Sequence, residues 1–184
     1  LFRSSAASDV YKRQVEGRLE KIGKIHNNSK VILDYAHTPA ALESALSNLK
    51  EQFPFNKINL IFGCGGDRDF KKRSLMGKIA EKYSNEIYLT DDNPRNEKPF
   101  EIRNEIKKGI KNKRIHEIPD RKKAIQEAVK NLKTGDILLV AGKGHEKIQD
   151  YGKKRTFFSD QKVILSSIRA KNKFLSKNIK LNII

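Results

Sequence analysis

From residue 30 onward the chain alternates between short apolar runs and longer stretches with helical period. KVILDYA supplies the first run, with Val31, Ile32 and Leu33 consecutive, and KINLIFG, EIYLT, the short IHEIP and DILLVAG follow. These runs are too short for helices and do not alternate apolar with polar, so they read as strands covered on both faces. TPAALESALSNLKEQF predicts a helix with Thr38 as N-cap, Pro39 in the first turn, and Ala41, Leu42, Ala45, Leu46 and Leu49 facing inward. KKRSLMGKIAEKYS predicts another, with Leu75, Met76, Ile79 and Ala80 inward. PFEIRNEIKKGI reads as a helix opened by Pro99, and DRKKAIQEAVKNL as one capped by Asp120. RTFFSDQKVILSSIRA supplies a last strand-like piece and a helix capped near Ser159. With a short strand-like GRLEKIGKI ahead of the series, the pattern predicts an α/β fold. It is Rossmann-like and doubly wound, a mostly parallel sheet of about six strands with helices on both faces and right-handed crossovers. One domain over residues 15–170 and a basic tail over 171–184 are the expected organisation.

Composition narrows the class. A chain of 184 residues is long enough for one domain with a real core. No apolar run approaches the ~20 residues of a membrane helix, and no apolar signal region opens the chain. The single cysteine, Cys64, excludes an intramolecular disulfide and suits a reducing compartment such as the cytoplasm, and it lacks a clear partner base, so it reads as structural. One Cys and four His without close pairing give no metal-site spacing. The formal net charge of +17 raises the alternative of a stand-alone basic nucleic-acid-binding module. The lysines, however, are spread along the chain without interleaved aromatics, which favours solvated helix faces. Residues 1–14, LFRSSAASDVYKRQ, show no period and resemble translated sequencing-adapter read-through, so they are set aside as an artefact; the alternative is a disordered native N-terminus.

In a doubly wound sheet ligands bind outside the carboxyl ends of the strands. The polar clusters fall there: DYAHTP after the first apolar run, GCGGDRD after the second, TDDNPR after the third and AGKGHE after the last. Turns alone do not require Asp, His, two Arg and a Glu on one rim. In GCGGDRD, Arg68 offers a planar fork for a carboxylate or phosphate, with solvated Arg68 and capping by Asp67 and Asp69 as the plain reading. No Walker loop and no complete G-x-G-x-x-G is present. AGKGHE offers backbone N–H groups at a helix start for an anion, Glu146 offers a carboxylate for an ammonium, and His145 reads as a hydrogen-bonded, satisfied side chain. Asp34, Tyr35 and His37 cluster at one strand end and suit a ribose, a base or sugar face, and a phosphate.

DYAHTP, FGCGGDRD, DDNPR and GKGHE, in this order, resemble the Mur ligase family, over residues 15 to about 170. The similarity is to the C-terminal domain of those members that add the third residue of the peptidoglycan stem peptide. One departure is Glu16, where the family commonly has proline. The resemblance implies an ATP-dependent, Mg2+-requiring amide ligase working through an acyl phosphate. Its P-loop and central ATPase domain lie outside this sequence, so the fragment alone is expected to be inactive, with its Mg2+ bound elsewhere and no metal here. The partners implied are ATP, UDP-N-acetylmuramoyl-dipeptide and meso-diaminopimelate, with neither membrane nor nucleic acid, in an enzyme that is monomeric when complete. Arg18, Asp34, Tyr35 and His37 are the implied nucleotide contacts. Arg68, Asp92, Asn93, Arg95, Gly142 and Glu146 are the implied amino-acid pocket. DNPR marks the diaminopimelate-adding members. An arginine fork grips the second carboxylate of that amino acid bidentately and repels the ammonium of lysine, the alternative substrate.

Overall fold

A computed structural model describes residues 17–181, with side chains through 177. The readings of residues 1–14 and of Glu16 lie outside it. Six strands form the main sheet in the order β1-β2-β6-β3-β4-β5. They are β1 (Glu20–Lys21), β2 (Lys30–Asp34), β3 (Ile58–Phe62), β4 (Glu86–Leu89), β5 (Arg114–Glu117) and β6 (Ile137–Ala141). All neighbours are parallel except the edge strand β1, which runs antiparallel to β2. β7 (Ile148–Asp150) and β8 (Arg155–Phe157) form a separate antiparallel hairpin.

The apolar strands are continuous because both faces are covered. On one face α1 (Pro39–Gln52), α2 (Lys71–Tyr83) and α3 (Pro99–Lys107) bring Leu42, Leu46, Met76, Ile102 and Ile106 onto Ile32, Leu60, Phe62, Leu89 and Leu139. On the other, α4 (Arg121–Asn131) and α5 (Asp160–Leu181) bring Ile125, Val129, Ile164 and Ile168 onto Val31, Ile61, Tyr88 and Val140. Alternate residues of one strand therefore serve opposite cores, as the pleat requires. The predicted caps form: Thr38 Oγ1 accepts from the Ala41 amide, Asp120 Oδ1 from Lys123 and Ser159 Oγ from Lys162.

Three readings need correction. Leu75 is 47 % exposed and Ala41 is also exposed, because these turns of α2 and α1 face clefts instead of the core. AGKGHE does not start a helix; it turns into the β7–β8 hairpin. His145 is exposed and stands 5.8 Å from the Tyr35 ring, without a hydrogen bond from its ring among the described residues.

Candidate functional site

β6 lies between β2 and β3, although β3 follows β2 in the chain. The connections therefore diverge around β6, and two clefts open above the strand ends there. The first, of about 430 Å³, is lined by Arg18, Asp34, Tyr35, His37 and the start of α1. The second, of about 600 Å³, is lined by Arg68, Asp92, Asn93, Arg95, Gly142 and Glu146. Tyr35 and His37 belong to both. All ten residues singled out in the sequence thus gather on one rim, in two groups that share a wall.

In the first cleft Asp34 is more engaged than its motif suggests. One carboxylate oxygen accepts from the Leu19 amide and the other from the Ala36 amide, each at 2.7 Å. Burial pushes its pKa up, against these two bonds and the charge of Arg18. Asp34 therefore ties β1 to β2 and shapes the cleft floor, with only its remaining lone pairs open to a ligand. Leu19, at φ +42°, is held in the left-handed region by that bond. His37 is exposed, its Nδ1 2.8 Å from the Tyr35 carbonyl oxygen, and its ring stands 4.6 Å edge-on from the Tyr35 ring.

The second cleft is built around Arg95. Its backbone sits at φ +52°, a region unfavourable for a side chain, so other contacts must hold it there. The Arg95 amide donates to the Asp150 carbonyl at 3.0 Å, and its Nη1 donates to the Gly66 carbonyl at 2.7 Å. The Gly66 amide in turn donates to the Asn93 carbonyl at 2.9 Å. Gly66 is required for this approach: a Cβ there would lie 1.8 Å from the Pro94 carbonyl oxygen. Gly142, at φ +114°, plays the same part opposite, since its Cβ would sit 2.7 Å from Asp92 Oδ2. No other group among the described residues accepts a hydrogen bond from the Arg95 guanidinium, which leaves most of its fork for a ligand. Arg68 is exposed on the same cleft.

Facing this cation is an acidic and amide wall. Glu146 Oε1 accepts from the Tyr35 hydroxyl at 3.2 Å, and Oε2 from Asn93 Nδ2 at 3.1 Å and Lys143 Nζ at 3.3 Å. Burial pushes the Glu146 carboxyl up, but the Lys143 charge and these hydrogen bonds outweigh it and hold the pKa below the usual value. The carboxylate is therefore ionised at neutral pH. Asp92 is buried, and burial lifts its pKa despite Arg121 and Lys143 nearby. Among the described residues its Oδ2 has no hydrogen-bond partner, and neither does Arg121 Nη1, 3.9 Å away.

The motifs do not point to the groups that support this wall. Lys143 and Arg121 are cations with fully buried side chains. Arg121 clamps Asp160 through Nε at 2.8 Å and Nη2 at 2.7 Å, and donates to the Ala141 carbonyl at 3.0 Å. This joins the first residues of α4 and α5 to the end of β6. Gln149, in the hairpin, donates to the Asp92 carbonyl at 3.0 Å, and the Asp150 amide donates to Asn93 Oδ1 at 3.0 Å. Arg73, also buried, chelates Glu97 and reaches the Gly65 carbonyl at 3.2 Å, bracing the two loops that flank Arg95. The one sequence signal for any of these was Lys143, enclosed between two glycines at the end of the most apolar strand. Cys64 is buried beside Met76 and its thiol is pushed up to about 12 by burial, which suits a structural role. Among the described residues no group of three or more His, Cys, Asp or Glu could hold a metal ion. No described helix is long and apolar enough to cross a membrane.

Comparison with known proteins shows the family. The family model described as Mur ligase, glutamate ligase domain, matches residues 17–144. A UDP-N-acetylmuramoyl-L-alanyl-D-glutamate–2,6-diaminopimelate ligase of Rickettsia felis is 47 % identical over 164 residues, 88 % of this chain and 30 % of the relative. The protein of the same name from Buchnera aphidicola is 51 % identical over 163 residues, 88 % of this chain and 32 % of the relative. A solved structure of a ligase of that name superposes with a TM-score of 0.78 at 41 % identity, covering 85 % of this chain and 32 % of that one. The chain thus spans about a third of the length of the relatives it matches. The fold, the paired clefts at the strand ends and these matches lead to one assignment: the chain belongs to the Mur ligase family, as its glutamate ligase domain.

Proposed function

We propose that this domain forms the amino-acid side of an ATP-dependent amide ligase, and that the complete protein adds meso-diaminopimelate to UDP-N-acetylmuramoyl-L-Ala-D-Glu. The observation that carries the reading is Arg95, clipped by Gly66 and Asp150 at the mouth of the second cleft and facing the Asn93–Glu146 wall. Diaminopimelate carries an ammonium and a carboxylate at each end. The Arg95 fork suits one carboxylate, and Glu146 and Asp92 suit an ammonium. Arg68, on the same rim, suits a further anionic group. Lysine has no far carboxylate, and its ammonium would be repelled by Arg95.

The first cleft is assigned to the nucleotide. Tyr35 offers an aromatic face, and Arg18 and His37 offer donors for phosphate oxygens. ATP transfers its γ-phosphoryl group to the substrate carboxylate, releasing ADP and forming an acyl phosphate, and the bound amino acid's amine, once deprotonated, attacks the acyl carbon to form the amide bond and expel phosphate. The part of that chemistry assigned to this chain is binding and orientation. Mg2+ is assigned, by the resemblance alone, to the central domain outside this sequence. The test is a competition assay on the complete enzyme, supplied with ATP, the UDP-linked dipeptide and equal meso-diaminopimelate and lysine. Product carrying diaminopimelate alone is expected. Product carrying lysine would refute the reading of Arg95.

A further inference from the structure

Lys143 carries a charge on a side chain that is 0 % exposed. An ammonium so deeply buried is far more costly to desolvate than a neutral group and needs close partners. The buried guanidinium of Arg121 is already clamped on Asp160. Lys143 is therefore the cation that serves the cleft wall directly. Its Nζ donates to Asn93 Oδ1 at 2.8 Å and to Glu146 Oε2 at 3.3 Å.

These contacts fix more than charge. Asn93 Oδ1 also accepts from the Asp150 amide at 3.0 Å, so both donors demand an oxygen at that position. The other end of the amide must then present Nδ2, which donates to Glu146 Oε2 at 3.1 Å. Reversing the amide would face two donors with an NH2 group and Glu146 with an oxygen. Tyr35 holds the other Glu146 oxygen. One ammonium thereby sets the amide orientation and, through it, the carboxylate.

We propose that Lys143 is a positioning residue for the amino-acid substrate: its buried ammonium locks Asn93 and Glu146 in the arrangement that presents Glu146 to the substrate's ammonium. The inference rests on the reading of the second cleft as the amino-acid pocket. A purely structural lysine would cost stability when replaced by a neutral chain of similar length, since its buried partners are left behind, but would leave KM for the amino acid unchanged in protein that still folds. A positioning lysine would not leave it unchanged.

The experiment is steady-state kinetics and thermal unfolding on the complete ligase carrying Lys143→Met, Glu146→Gln, or both. Lys143→Met is expected to raise KM for meso-diaminopimelate by about 30-fold or more while KM for ATP changes less than about 3-fold. Because Lys143 acts through Glu146, the double variant should be no more than about 3-fold worse than Glu146→Gln alone. Lys143→Gln keeps an N–H donor and should recover part of the loss; it takes the place of Lys143→Met if that variant fails to fold. An unchanged KM for the amino acid, an equal rise in every KM, or effects that multiply in the double variant would overturn the proposal. Use of lysine by the wild type would instead overturn the substrate reading. The same cycle, run with the amino acid that is used, would still decide the role of Lys143.

Discussion

Replacing Arg121 by methionine should destabilise the domain sharply, and replacing its partner as well should reverse most of the loss. Both side chains of the Arg121–Asp160 pair are 0 % exposed, with two hydrogen bonds at 2.7 and 2.8 Å. Arg121→Met leaves Asp160 charged or protonated in an apolar setting, and it strips the Ala141 carbonyl of a donor. Breaking one side of a buried pair costs about 3–5 kcal/mol. Domains of this size are stable by about 5–15 kcal/mol in all, so roughly a fifth or more of the stability is at stake. At about 2–4 °C per kcal/mol, the thermal midpoint should fall by roughly 6–20 °C. Arg121→Met with Asp160→Leu removes both charges of the clamp and should recover most of that, because Asp160 no longer stands without its partner and Asp92, 3.9 Å from Arg121, keeps the Lys143 charge. Urea and thermal unfolding of the chain, followed by circular dichroism, measure both. A single variant within about 1 kcal/mol of wild type, or a double variant whose losses simply add, would refute the claim that this pair fastens α4 and α5 to the sheet.

Three further outcomes follow from the site geometry. Gly66→Ala drives a Cβ into the Pro94 carbonyl and should displace Arg95, raising KM for the amino acid about 10-fold or more with KM for ATP little changed; steady-state kinetics of the complete enzyme checks this. Asp92 has a raised folded pKa, so the folded state binds its proton more tightly than the unfolded one, and its ionisation lowers stability as pH rises through that interval. Asp92→Asn should therefore gain stability relative to wild type as pH rises above the ordinary aspartate range, while losing activity, and urea midpoints that fall relative to wild type over that rise would contradict it. Cys64, buried with its thiol near 12, should resist a thiol reagent at pH 8 in the folded chain and react fully in urea; rapid labelling of folded protein would count against its placement.

Local pattern made the elements legible, and it failed where neighbours in space decide. Val31, Leu60 and Leu139 sit in uninterrupted apolar runs because helices cover both faces, and Thr38, Asp120 and Ser159 cap as their residue types imply. The motifs also fell together on one rim, since carboxyl ends of parallel strands share an edge. That β6 enters the sheet between β2 and β3 is not written in any local stretch. Leu75 and Ala41 have the spacing of core residues but face clefts, which only the packing of neighbouring helices determines. Nothing local marks Arg121 and Asp160 as buried, because burial of an ion depends on a partner distant in sequence. Asp34 looked free for a ligand for the same reason: its partner Leu19 lies on the antiparallel edge strand's approach.

The central claim is that Arg95 selects the substrate, and the most direct measurement is kcat/KM of the complete enzyme for meso-diaminopimelate and for lysine, wild type against Arg95→Gln. Loss of a charge-paired fork costs about 2–5 kcal/mol, so diaminopimelate should lose about 30-fold or more. Lysine, relieved of a repelling cation, should lose nothing or gain. If diaminopimelate retains its kcat/KM within about 3-fold, or both amino acids fall together, Arg95 does not read the second carboxylate and the account is wrong.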